Sequence, residues 1–116
     1  MHARRSQRVP TSATGSCRSA RGMQWDIRLE DLSSGGCRVE DSRGAMALGE
    51  YVRLFIAGTG PHMAEVAWRQ GSRVGLEFQT PLPDRIFALL AEERWEEASR
   101  AFADPRHRGY ARRSCL

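Results

Sequence analysis

The chain has 116 residues, 41% of them hydrophobic, and a formal net charge of +4. That is enough apolar side chain for one packed core, and it excludes wholesale disorder. No apolar run approaches the about 20 residues that cross a bilayer as a helix, and no apolar stretch of the secretory kind follows the basic N-terminus, so a cytoplasmic location is expected.

Residues 1–8 are polar, Arg-rich and aperiodic, and read as a flexible arm. An edge strand is expected around 12–18, where Ser, Thr and Gly dominate. The first clear strand spans 25–32: Trp25, Ile27 and Leu29 share one face, and Asp26, Arg28 and Glu30 the other. Residues 36–40 are its hairpin partner, and 41–49 form a loop. Alternation returns at 51–57 with Val52, Leu54 and Ile56. "GTGP" makes a turn, 63–69 groups Ala64, Val66 and Trp68, and 74–78 turns Val74, Leu76 and Phe78 inward. Short, evenly spaced strands with Gly-rich turns and no helix between them predict a small antiparallel barrel or sandwich.

After "TPLP" the period changes. Asp84 is placed to cap one helix over 84–102, with Phe87, Leu90, Ala91, Trp95, Ala98 and Phe102 at helical spacing. Such a helix should lie on the barrel and close one mouth. Residues 9–102 therefore make the barrel with its helix, and 103–116 a basic tail expected to be disordered.

Little here suggests catalysis. The glutamates of "EERWEE" form a solvated helix face, "GTG" lacks the Lys-Ser/Thr and the helix of a phosphate loop, and no nucleophile has a base beside it. His2, His62 and His107 have no metal-spaced partners. Cys17, Cys37 and Cys115 are odd in number and lack CxxC spacing, which argues against a disulfide framework and a zinc site. The chain is not expected to be an enzyme or to carry a metal. Every basic residue is Arg, whose planar fork suits phosphates and guanine edges.

Two motifs stand out. The arm holds "RRSQR", with Arg4 and Arg8 in RxxxR spacing and Arg5 between them. "DLSSGG" then supplies DxSxxG from Asp31, Ser33 and Gly36. Taken alone, the second reads equally as an Asx-type turn ending a strand, and the first as a solvated terminus. In this order, followed by "AEVAWRQGSRVGLEF" and a C-terminal helix, the pair resembles the PilZ domain family over residues 4–100.

The resemblance implies a six-stranded antiparallel β-barrel with a C-terminal helix packed on it, in a receptor for the bacterial second messenger cyclic di-GMP. It implies that Arg4 and Arg8 grip phosphates and guanine edges, with Arg5 sharing that role. Asp31, Ser33 and Gly36 would form the opposite wall, and Arg69 is a further candidate. The residue chemistry agrees. An Arg fork matches the two acceptors of guanine's Hoogsteen edge, a carboxylate accepts from its Watson–Crick donors, and a glycine permits positive φ and lets the backbone approach a flat ring.

The messenger is a ligand, and no cofactor is implied. Binding is expected to dock the mobile arm against 31–36 and to signal through an unknown effector protein. Two other readings stay open: a PilZ-like interaction module that binds no nucleotide, and a small-barrel nucleic-acid binder. The latter is disfavoured because Trp68 and Trp95 are expected in the core, leaving the strands no outward aromatic for stacking.

Overall fold

The computed structural model describes residues 7–104. Among the described residues there are seven strands: β1 (Val9–Pro10), β2 (Thr14–Ser19), β3 (Gln24–Ser33), β4 (Gly36–Glu40), β5 (Tyr51–Ile56), β6 (Thr59–Gln70) and β7 (Arg73–Phe78). All pairings are antiparallel. The order β3-β2-β5-β6-β7-β4 closes on itself through β3–β4, giving a six-stranded barrel. The two-residue β1 lies on the C-terminal part of β3, beyond the stretch that β2 occupies.

The alternating residues fill the interior. Leu29, Leu32, Val39, Val52, Leu54, Ile56, Val66 and Val74 are all at most 1% exposed. Between Ile56 and Thr59 the chain reverses at Ala57 and Gly58, both with positive φ, as a two-residue hairpin requires. The turn thus falls ahead of the expected "GTGP", and β6 begins at Thr59.

Two expectations need correcting. Residues 14–19 are not an edge strand: β2 is paired on both sides, with β3 and β5. Its interior demand is met by Cys17, which is fully buried, so the segment needs little other apolar residue. The single C-terminal helix is two, α1 (Asp84–Ala91) and α2 (Trp95–Ala103). Glu93 adopts φ 61° between them, a left-handed conformation that an α-helix cannot continue through. Pro83 rather than Asp84 takes the N-cap position, and Asp84 lies in the first turn. α1 buries Ile86, Leu89 and Leu90, and α2 buries Ala98 and Phe102. Phe102 meets the buried His62 of β6 edge-on at 5.2 Å, seating α2 against the barrel.

Candidate functional site

The break in alternation after Leu29 is a β-bulge. Leu29 faces Val39 and Asp31 faces Arg38, so Glu30 is the extra residue. One extra residue exchanges the faces of everything that follows it. Leu32 consequently fills the core, and Asp31 turns to the outer face of the barrel.

Asp31 is nonetheless buried, because arginines cover it. β1 sets Pro10 opposite Asp31 and Val9 opposite Leu32, which brings Arg8 to the carboxylate. Arg8 Nη1 lies 2.7 Å from Asp31 Oδ1, and Arg38 Nη2 lies 2.9 Å from Oδ2. Arg38 Nε stands 3.3 Å from Glu30 Oε1, and Arg73 Nε reaches the same oxygen at 3.5 Å. Three guanidiniums against two carboxylates leave the cluster positive, which suits an anion.

Ser33 and Gly36 close the β3–β4 hairpin. The Ser33 hydroxyl accepts from Gly35 N–H at 3.2 Å and donates to the Gly36 carbonyl at 3.3 Å. Gly36 does not use positive φ, as had been expected of it. Its missing side chain is required by β7 instead: a Cβ there would meet the Leu76 carbonyl oxygen at 2.2 Å.

The row continues across the barrel. Arg38 stands opposite Gly75 on β7, and Gly75 opposite Trp68 on β6. A second bulge, between Val66 and Trp68, slips the register so that Trp68 leaves the core and is 37% exposed. Its indole rests on Gly75, where a Cβ would come within 2.0 Å of Nε1. Trp68 is therefore an outward aromatic, contrary to the expectation of none, whereas Trp95 packs against the core as expected. Arg8, Asp31, Arg38, Gly75 and Trp68 form one band on the outer surface.

Arg69 is placed elsewhere. Its Nη1 donates to Asp41 Oδ2 at 2.9 Å and to the Met46 carbonyl at 3.0 Å, and its Nη2 to the Asp41 carbonyl at 3.1 Å. Met46 N–H adds a bond to Oδ2 at 2.8 Å. Burial opposes ionisation of Asp41, but these donors outweigh it and hold the carboxyl below the usual range. Arg69 thus staples the 41–46 loop. Arg4 and Arg5 lie outside the described residues, as do Cys115 and residues 105–116.

Burial pushes the Cys17 thiol up to about 12 and raises that of Cys37 as well, so both are core groups of low reactivity. A groove of about 390 Å³ beside α2 is lined by Ser12, Thr14, Ala57, Trp95, Glu96 and Ser99, and takes nothing from either motif.

The profile of the PilZ domain family matches residues 2–92. The chain belongs to the PilZ domain family. Among solved structures it is similar to the PilZ domain of CeSA from a cellulose-synthesizing bacterium. That likeness has 20% identity and a TM-score of 0.53, and covers 72% of this chain and 91% of that one. It shows a shared PilZ fold. No curated protein matches the chain in sequence.

Of the residues expected in the site, the PilZ barrel thus brings Arg8, Asp31, Ser33 and Gly36 together. Arg38 and Trp68 complete the band and were not anticipated. Arg38 had a signal, since a hairpin pairing Ser33 with Gly36 also pairs Asp31 with the residue at 38. Trp68 had only a weak one, a glycine within the otherwise apolar "VGL" of the facing strand.

Proposed function

We propose that this PilZ domain is a receptor for cyclic di-GMP and signals through a protein partner rather than by catalysis. One observation carries the reading: the two sequence motifs, 23 residues apart, meet in a direct ion pair between Arg8 and Asp31. Arg8 is 45% exposed at its side chain and can turn from Asp31 to a phosphate or to a guanine Hoogsteen edge. Asp31 then accepts from the Watson–Crick donors of guanine. Trp68 offers the flat surface on which a purine stacks, worth ~1–3 kcal/mol per base. Arg4 and Arg5, four and three residues before Arg8 in sequence, are assigned to the phosphates by the family pattern. Arg8 rests on Asp31, so binding exchanges one partner of Arg8 for another, and that exchange alters the surface an effector meets.

Calorimetry with cyclic di-GMP tests this. The expected outcome is saturable heat with a micromolar Kd, about −8 kcal/mol. No heat in low-salt buffer at protein near ~100 µM, well above that Kd, overturns the reading.

A further inference from the structure

We infer that Arg38 is the positioning residue of the nucleotide site: it holds the Asp31 carboxylate in place while Arg8 leaves. The inference rests on the receptor reading above and adds to it a residue that belongs to neither motif.

The two arginines on Asp31 are not equivalent. Arg8 directly precedes a strand of two residues that pairs on one side only. Arg38 lies in the middle of β4, whose backbone is paired to β3 on one side and β7 on the other. Its guanidinium is clamped between two carboxylates, Asp31 at 2.9 Å and Glu30 at 3.3 Å. Its Nε is shut off from solvent and misaligned for a hydrogen bond to Glu30, so the head is held by its two ion pairs. The bulge makes this clamp possible. In a regular strand neighbouring side chains point to opposite faces, but the extra residue lets Glu30 and Asp31 both reach Arg38.

Each carboxylate oxygen can accept more than one hydrogen bond. Arg38 Nη2 pairs with Oδ2 at 2.9 Å and anchors that oxygen by charge. When Arg8 departs, the remaining acceptor positions stay aimed outward. A guanine then finds a preset acceptor pair for its N1–H and 2-amino donors, and ordering a rigid group costs less than ordering a free one. If Arg38 is lost, Arg8 is the one ion-pair partner left to Asp31 among the described residues and competes with the ligand, and the carboxylate is free to turn.

The test compares cyclic di-GMP with its analogue in which hypoxanthine replaces both guanines, so that the 2-amino donors are missing. The wild-type chain is expected to favour cyclic di-GMP by at least about tenfold, the worth of a hydrogen bond to a charged group. Arg38→Met should weaken cyclic di-GMP about tenfold, leave the analogue little changed, and so collapse the preference. Arg38→Lys should restore part of it, and a melting curve checks that each variant is folded. A folded Arg38→Met that binds cyclic di-GMP with the wild-type preference overturns the inference and leaves the receptor reading standing. Wild-type protein that binds neither ligand overturns the receptor reading, and the inference with it.

Discussion

Asp31 and Asp41 are both carboxylates held by arginine on the same small barrel, yet they are built for different ends. The Asp41 side chain is 1% exposed, is bonded by a backbone N–H as well as by Arg69, and has a partner that also reaches two backbone carbonyls. The Asp31 side chain is 10% exposed, and its cations are 45% and 36% exposed. Surface pairs contribute little to stability, whereas breaking a buried pair strands a charge. The first arrangement fixes a loop; the second keeps Arg38 and can trade Arg8.

Exchanging the two sites' phenotypes is the strongest way to break this contrast. Asp41→Asn should cost about 3–5 kcal/mol by leaving Arg69 uncompensated, a fall in Tm on the order of 10–20 °C, with binding of cyclic di-GMP unchanged at temperatures where the variant is folded. A loss much below that would mean Asp41 is no more than another surface pair.

Acid unfolding sharpens the contrast. The hydroxyl of Thr59 donates to the Ile56 carbonyl and so accepts from His62 Nε2 at 2.8 Å. Burial pushes the imidazole down to about 4. Between the ordinary value near ~6.5 and about 4 the unfolded chain binds the extra proton, so stability falls as pH falls through that window. The loss should be on the order of 3 kcal/mol. Asp41 has the opposite charge type but the same slope. Its depressed carboxyl stabilises the fold above the ordinary ~3.9, and that contribution is lost at lower pH still. Denaturant midpoints measured against pH should show both phases, with His62→Gln removing the upper and Arg69→Met diminishing the lower, since the Met46 N–H still holds Asp41.

Smaller effects are expected at the exchangeable site. Arg8→Ala and Asp31→Ala should each weaken cyclic di-GMP by roughly 1–3 kcal/mol in calorimetry. The smallest is the effect of Arg8→Ala on folding, under about 1 kcal/mol, readable as a Tm within a few degrees of wild type. A large drop there would make the Arg8–Asp31 pair structural after all.

Much of the fold was legible because the interior writes itself as period two. Ile27 with Leu29, Val52 with Leu54 and Ile56, and Val74 with Leu76 are all core residues at their expected places. β2 was underrated because a strand filled by Cys17 and flanked by Gly15 carries little hydrophobic signal. The helix break is not legible because Glu is a good helix former, and nothing in its letter marks the left-handed conformation that Glu93 adopts. The site was half legible. The motif letters located Asp31, Ser33 and Gly36, but single-residue bulges decide which face a side chain serves, and they have no letter of their own. The bulge next to Trp68 turned an expected core residue into surface, while Arg69 beside it went to the Asp41 loop.

The slip at Glu30 has an evolutionary corollary. Removal of Glu30 would leave every other side chain in that strand on its present side of the barrel, because the ladder already skips it. Related chains can therefore differ by one codon here and still present the same outer band. An alignment through this strand is better anchored on Asp31 than on Trp25, and a gap placed between Leu29 and Asp31 leaves the outer face of the strand unchanged.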